Sequence, residues 1–287
     1  MHSILLSLYL FMMPIEHVPY QLTVTDHGDI IETVELDQYD LEYFQSLFIN
    51  QARLGRLITQ LNDKVYKEPT NATLDGKGAI VQEKSGIALD RRKFQKLFHE
   101  SFYLGQPVKM EVPTKRVYPR VDSELLAEIK EKEIGHYVTL YKESNKERTH
   151  NINLAAKAIN NHVVFPGETF SFNKVVGKRT KEKGYKKAPV IVKGELSEDI
   201  GGGICQVSST LFNAVNLKGV QIVERYSHSR SVPYVPPGRD ATVSWWGPDF
   251  SFKNMFNQPI LIRAKSVNGR MDIGIYSSDA VERHRDT

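Results

Sequence analysis

The sequence contains one thiol. Cys205 lies in GGGICQVSSTLFNAVNLKG, directly behind three glycines. The residues after it place Ile204, Val207, Leu211 and Val215 on one helical face, so Cys205 stands at a helix start. A helix start presents unpaired N–H groups and about half a positive charge. Both stabilise a thiolate over a thiol. Gly201, Gly202 and Gly203 lack Cβ atoms, so a substrate or an oxyanion can approach backbone donors closely. A nucleophilic cysteine also needs a base, and the base needs an orienting group. His228 ends the segment VQIVERYSH, and Asp240 follows a Pro-Pro-Gly loop. With both segments read as antiparallel strands, His228 and Asp240 stand side by side, facing the helix start. Cys205, His228 and Asp240 are then nucleophile, base and orienter, with N–H groups from Gly203 to Gln206 holding an oxyanion.

A second reading competes. Cys205 packs under a sheet, the glycines serve a tight turn, His228 is exposed or bonds a carbonyl, and Asp240 pairs with Arg239 or Arg225. A third makes the same residues a binding cleft without turnover. Around the thiol, Gln206, Arg239 and Trp245 are further ligand-binding candidates. Arg239 offers a planar fork for a carboxylate or phosphate. Trp245 and Trp246 are adjacent, so on a strand one faces in and one faces out, there to stack on a sugar or to cover a sheet edge. Ser208, Ser209 and Thr210 serve packing or local backbone bonds, and Glu168 in PGETF is a turn residue. The basic run from Lys178 to Lys187 is a solvated loop or a contact for an anionic polymer. No pair of ligands shows HxxxH or CxxC spacing, so neither metal nor cofactor is expected.

The elements that must position these residues follow from pattern. The chain has 287 residues, 40% apolar and 25% charged, which suits one large domain or two ordinary ones. A net charge of +4 is too mild for a nucleic-acid binder. One cysteine excludes an intramolecular disulfide and a Cys-rich zinc site. Residues 1–20 carry an apolar run from Ile4 to Met13, too short to span a bilayer. That run reads as a signal or peripheral membrane anchor without the usual basic start, or as a buried strand or helix. Helices are expected over the stretch holding Leu41, Phe44, Phe48, Leu54, Leu57, Ile58 and Leu61, and over the stretch capped by Asp90 and ended by Gly105. A further helix, capped by Asp122 and ended by Gly135, leads to a strand through a connector at 114–149. From residue 150 the pattern gives a helix over 154–159, several strands, the Cys205 helix, and a hairpin turning at Asn268-Gly269. The fold class is α+β, a few helices against an antiparallel sheet.

The stretch from 150 to 277 carries NHVVFPGETFSFN, GYKKAPVIVKGE, DIGGGICQVSSTLFNAV, VERYSHS, PYVPPGRDATV and NQPILIRA. These motifs closely resemble the VanW domain, named for an accessory protein of glycopeptide-resistance gene clusters. Residues 39–113, with PTNATLD, GIALDRRKFQKLF and PVKMEVP, resemble the peptidoglycan-binding-type module often found before VanW domains. The resemblance implies a protein of the Gram-positive cell envelope, extracytoplasmic, that binds peptidoglycan or a related wall polymer and serves resistance or wall maintenance. The same module precedes L,D-transpeptidases, which use a cysteine on peptidoglycan stems, although this chain lacks their HxxxHGC-type run. Two alternatives remain open. One is a cysteine acyltransferase or amidase on stem peptides, whose helix-and-sheet order is similar to papain- and transglutaminase-like enzymes. The other is a non-catalytic partner of a wall enzyme.

Overall fold

The fold was obtained as a computed structural model, which describes residues 20–41, 48–192 and 195–282. The apolar run from Ile4 to Met13, Phe44, and the end of the expected strand at Lys193 and Gly194 lie outside the described residues. The chain forms two units, one from Met1–Thr70 and Lys84–Pro119, the other from Asn71–Glu83 and Arg120–Thr287. The 114–149 segment therefore divides between them. No helix among the described residues is long and apolar enough to cross a membrane.

In chain order the elements begin with β1 (Gln21–Asp26), β2 (Asp29–Glu35), a short 3-10 turn (Leu36–Tyr39) and α1 (Gln51–Val65). Next come β3 (Thr73–Leu74), β4 (Ile80–Val81), β5 (Gly86–Leu89), α2 (Arg91–Leu104), β6 (Val108–Glu111) and β7 (Thr114–Val117). Then follow α3 (Ser123–Ile129), β8 (Lys132–Leu140), α4 (Lys146–Ile159), β9 (His162–Val164), β10 (Thr169–Ser171) and α5 (Phe172–Val176). The chain closes with β11 (Lys187–Val192), β12 (Glu195–Ile200), α6 (Ile204–Val215), β13 (Val220–Glu224), β14 (Ser251–Asn254), β15 (Ile260–Val267) and β16 (Arg270–Ser277).

The first unit is small and α+β. β1 pairs antiparallel with β2 and parallel with β6. β5 pairs antiparallel with β7. Two capped helices supply the core. Asn50 accepts from the Arg53 N–H at the head of α1, and Asp90 accepts from the Lys93 N–H at the head of α2. Gly105 ends α2 at φ 67°, a conformation that suits glycine. Leu54, Leu57, Ile58 and Leu61 of α1 and Phe94, Phe98 and Phe102 of α2 are buried. Leu41 and Phe48, expected on the same face, are exposed because α1 begins only at Gln51.

The second unit is built on one antiparallel sheet in the order β8-β16-β15-β9. The β15–β16 hairpin turns at Asn268 and Gly269 with φ 51° and 70°, the signature of a two-residue hairpin turn. A smaller sheet runs β10-β14-β13, and β11–β12 forms a separate hairpin. α4 and α6 pack on the large sheet. Their core joins Ile152, Val207, Leu211, Ile262, Ile273 and Ile275 to a cluster of Phe170, Phe212, Phe250 and Phe252. Gly135 does not end a helix. α3 stops at Ile129, and Gly135 lies inside β8, where a Cβ would overlap the Ala214 carbonyl oxygen. The missing side chain lets α6 press against the strand.

α6 is buried on nearly every side, and its polar residues are buried with it. Buried polar groups need partners, and these find them in a loop. Ser208 Oγ donates to the Ala241 carbonyl at 2.6 Å, and the Ala241 N–H donates to Ser209 Oγ at 2.9 Å. Asn213 Nδ2 donates to the Arg239 carbonyl at 2.7 Å. The segment after the Pro-Pro-Gly loop is therefore not the expected strand. Its backbone is tied mostly to helix side chains, with a single backbone bond among the described residues, Thr242 N–H to the Tyr226 carbonyl at 2.8 Å, toward the His228 segment.

Candidate active site

Cys205 is the second residue of α6, whose N-cap is Gly203 at φ 105°. The three glycines ahead of it allow three close approaches. A Cβ on Gly201 would lie 3.2 Å from Arg179 Cβ, one on Gly202 would overlap the Ala188 carbonyl oxygen, and one on Gly203 would lie 2.8 Å from Arg148 Cγ. Buried Asn151 fixes the loop from the α4 side. Its Nδ2 donates to the Lys186 and Gly202 carbonyls at 2.9 and 3.0 Å, and its Oδ1 accepts from the Lys186 N–H at 2.9 Å.

His228 and Asp240 meet at this helix start, although neither lies on a strand. Asp240 Oδ2 accepts from both the His228 N–H and Nδ1–H, each at 2.6 Å. Both side chains are under 10% exposed, at 6% and 9%. With Nδ1 engaged, Nε2 is the ring nitrogen left for the thiol, and the charges of His228 and Cys205 are coupled. The thiol also lies 3.7 Å from Thr242 Oγ1 and 3.5 Å from the Val243 carbonyl. Arg225 closes the loop behind the pair, donating to the Gly238 carbonyl at 3.0 Å and to Ser227 Oγ at 2.7 Å.

The charges of these groups are coupled. Burial pushes the Cys205 thiol up, but the His228 hydrogen bond and charge outweigh it and hold the thiol below its ordinary value. Burial pushes His228 down, while Cys205 and Asp240 pull it above its ordinary value. Burial works against the Asp240 carboxylate too, yet the two His228 hydrogen bonds keep it below the usual range. All three shifts favour a thiolate beside an imidazolium.

These residues border a cavity of about 980 Å³. Gly201, Gly203, Cys205, Gln206, His228 and Trp245 line it. Gly202 does not; it is buried behind the floor. Arg239 does not line it either, and its backbone carbonyl serves Asn213. Trp245 and Trp246 sit on a turn, so the alternation of a strand does not apply. Trp246 is 83% exposed, with Lys178 Nζ 5.1 Å from its ring centroid. Gln206 is a brace: Oε1 accepts from Arg148 Nη2 at 2.7 Å, and Nε2 donates to Thr139 Oγ1 and the Leu140 carbonyl at 2.9 and 3.0 Å. Glu168 is more than a turn residue, since its carboxylate takes both Arg120 guanidinium nitrogens at 3.2 and 3.3 Å and the Phe165 N–H at 3.0 Å.

Sequence reasoning passed over Arg148, Arg179 and Tyr234, which also line the cavity. Burial lowers both arginines and the Cys205 charge opposes it, which sets both guanidiniums in the field of the thiol. Burial, together with the Cys205 charge, pushes the Tyr234 phenol far up, so it stays protonated. Nothing in the spacing of these three marks them. Only the glycine loop hints that something bulky must pass over it.

A partly buried thiol beside an imidazole, itself held by a carboxylate and bordering a cavity, brings together the groups a cysteine nucleophile requires. The family model described as VanW like protein matches residues 147–276, which include all three residues. The chain belongs to the VanW-like family. It is 58% identical over 260 residues to YoaR of Bacillus subtilis strain 168, described as uncharacterized, covering 91% of this chain and 86% of that protein. It is 33% identical over 114 residues to the vancomycin B-type resistance protein VanW of Enterococcus faecalis strain ATCC 700802 / V583, covering 38% of this chain and 42% of that protein. No solved structure matches the chain.

Proposed function

We propose that the second unit is a cysteine-dependent acyl-transfer site for an amide, and that the amide belongs to a cell-wall peptide. The hydrogen-bonded His228–Asp240 pair beside Cys205 at the edge of the cavity carries this reading. The Cys205 thiolate attacks the amide carbonyl carbon, a C–S bond forms, and the carbonyl oxygen takes the electron pair. The Ile204 and Gln206 N–H groups are committed to the Gly201 and Gly203 carbonyls. The oxyanion donors therefore narrow from the four expected to the Gly203 and Cys205 N–H groups. The C–N bond then breaks, and His228 gives its proton to the departing amine. Water or a second amine attacks the thioester, His228 takes its proton, and the thiolate is restored. Asp240 holds the imidazole in the tautomer this cycle needs.

The wall as source of substrate is supported by membership of the VanW-like family and by the relative named for vancomycin resistance. In this reading the protein works outside the cytoplasm and the first unit binds wall polymer. A second reading, wall binding without turnover, is favoured by Trp246 exposed beside the cavity, since an open indole stacks on sugars. The test is the pH dependence of iodoacetamide alkylation of Cys205 in wild type and His228→Ala. Rapid labelling below the free thiol value of about 8.5, shifted upward in His228→Ala, supports the acyl-transfer site. Labelling that needs denaturant and ignores His228 removes it, and retention on purified sacculi then decides for the binding reading.

A further inference from the structure

The cavity beside Cys205 is unbalanced in charge. Lys142, Arg148, Lys178 and Arg179 line it against one carboxylate, Asp199, which already accepts from the Ile200 N–H at 2.7 Å. Two of the four cations are not the usual solvated kind. The Arg148 stem runs over Gly203 and the Arg179 stem over Gly201, so the loop that carries the thiol also seats both guanidiniums. Among the described residues, neither guanidinium lies in ion-pair contact with a carboxylate. Arg148 is held by neutral Gln206. Arg179 gives Nη1 to neutral Asn173 Oδ1 at 2.7 Å, and its buried Nη2 has no hydrogen-bond partner. The charges of Cys205 and, for Arg179, Asp249 act on these guanidiniums without ion-pair contact; a half-buried guanidinium with no carboxylate in contact is costly, and a protein keeps one where a ligand supplies that contact.

We propose that Arg148 and Arg179 form a carboxylate subsite, so that the amide attacked by Cys205 belongs to a residue bearing a free carboxylate. This rests on Cys205 being the nucleophile. The planar fork of arginine matches a carboxylate with two parallel bonds. In a peptide, the anionic group one residue beyond the attacked carbonyl is the terminal carboxylate. The substrate class is therefore a peptide or acylated amino acid cleaved or exchanged at its last amide.

The test needs no identified substrate. Iodoacetate and iodoacetamide place a carboxylate or a neutral amide on the same alkylating carbon. The iodoacetate-to-iodoacetamide rate ratio for Cys205 should exceed that of glutathione by about tenfold or more, the factor carried by one charge-assisted hydrogen bond. Arg179→Gln should lower the ratio several-fold, and Lys178→Gln, at the exposed rim, should leave it within about twofold. An equal fall in both variants would mean a diffuse field and would overturn the subsite. Wild type alone supplies a second check. N-acetylglycine should protect Cys205 from iodoacetamide, while N-acetylglycinamide and inorganic phosphate should not. Equal protection by phosphate, or none by N-acetylglycine, sinks the proposal. Failure of Cys205 to react with iodoacetamide at all would instead remove the nucleophile reading beneath it.

Discussion

Replacing Asp240 by Asn tests the link between the carboxylate and the thiol. The two side chains are nearly equal in size, so the change removes a charge while leaving an oxygen able to accept from the His228 N–H and Nδ1–H. In the native protein that oxygen lies 2.6 Å from both donors with little exposure to water. A hydrogen bond to a charged group contributes about 1.5–3 kcal/mol net, a neutral one about 1. Losing the charge should therefore destabilise the imidazolium by roughly 1–2 kcal/mol, which is about one pKa unit or a little more. The sign follows from the directions of the shifts. His228 is held above its ordinary value and Cys205 below it, so the thiolate at mildly acidic pH depends on the proton staying on His228. With that proton less stable, the thiolate is lost at higher pH. The pH profile of iodoacetamide alkylation should move upward by about one unit in Asp240→Asn. Between the two midpoints, where the thiolate exists as the ion pair with the imidazolium, the rate should fall by up to about tenfold. Far-UV circular dichroism and melting of the variant exclude a collapsed loop as the cause. Superimposable profiles in a folded variant would refute the coupling of Asp240 to the thiol.

Three other outcomes are expected. Asn151→Leu should lower stability by about 3 kcal/mol in denaturant melts, because one Lys186 N–H and two carbonyls lose their partner inside the protein. Gly202→Ala should destabilise by about 1–3 kcal/mol and slow Cys205 alkylation, since the new Cβ meets backbone at Ala188 and Pro189; unchanged melting and reactivity would contradict the packing described. The acid limb of the stability profile should flatten in Asp240→Asn. The native carboxyl is held below its ordinary range, so its contribution is present above that range and lost as pH falls through the folded value.

Cys205, His228 and Asp240 were legible because their types are scarce: one cysteine and nine histidines in the whole chain. Glycines, caps and the Asn-Gly turn were legible because each has a local reason, as Asp90, Asp122, Gly105 and Gly269 illustrate. The α+β class followed from the same patterns. What failed was whatever the tertiary structure decides. The segment from Arg239 has the alternation of a strand, yet α6 side chains Ser209 and Asn213 take its backbone at Ala241 and Arg239, and among the described residues only Thr242 reaches across to the Tyr226 carbonyl. Gly135 looked like a helix stop because nothing in the sequence shows Ala214 lying against it. Arg148 had no local signature and Arg179 showed only as one member of a basic run, because what sets them apart is their packing over Gly203 and Gly201. The β1–β2 pair was passed over, its outer strand having no buried residue and only weak alternation.

The division of the chain has a consequence for how such a protein can be rearranged by recombination. The backbone leaves the first unit after Thr70, returns at Lys84, and leaves again after Pro119. A single breakpoint upstream of Arg120 would strip Ala72 and Leu74 from beneath Val121, Leu126 and Leu261. A breakpoint at the start of the matched stretch, residue 147, would also remove β8. The eight residues of β16 would then form a bare sheet margin, a template for aggregation. Inheritance of the Cys205-bearing unit thus requires two splice points or the whole chain, and a gene fusion that respected only the boundaries of sequence similarity would deliver an adhesive fragment.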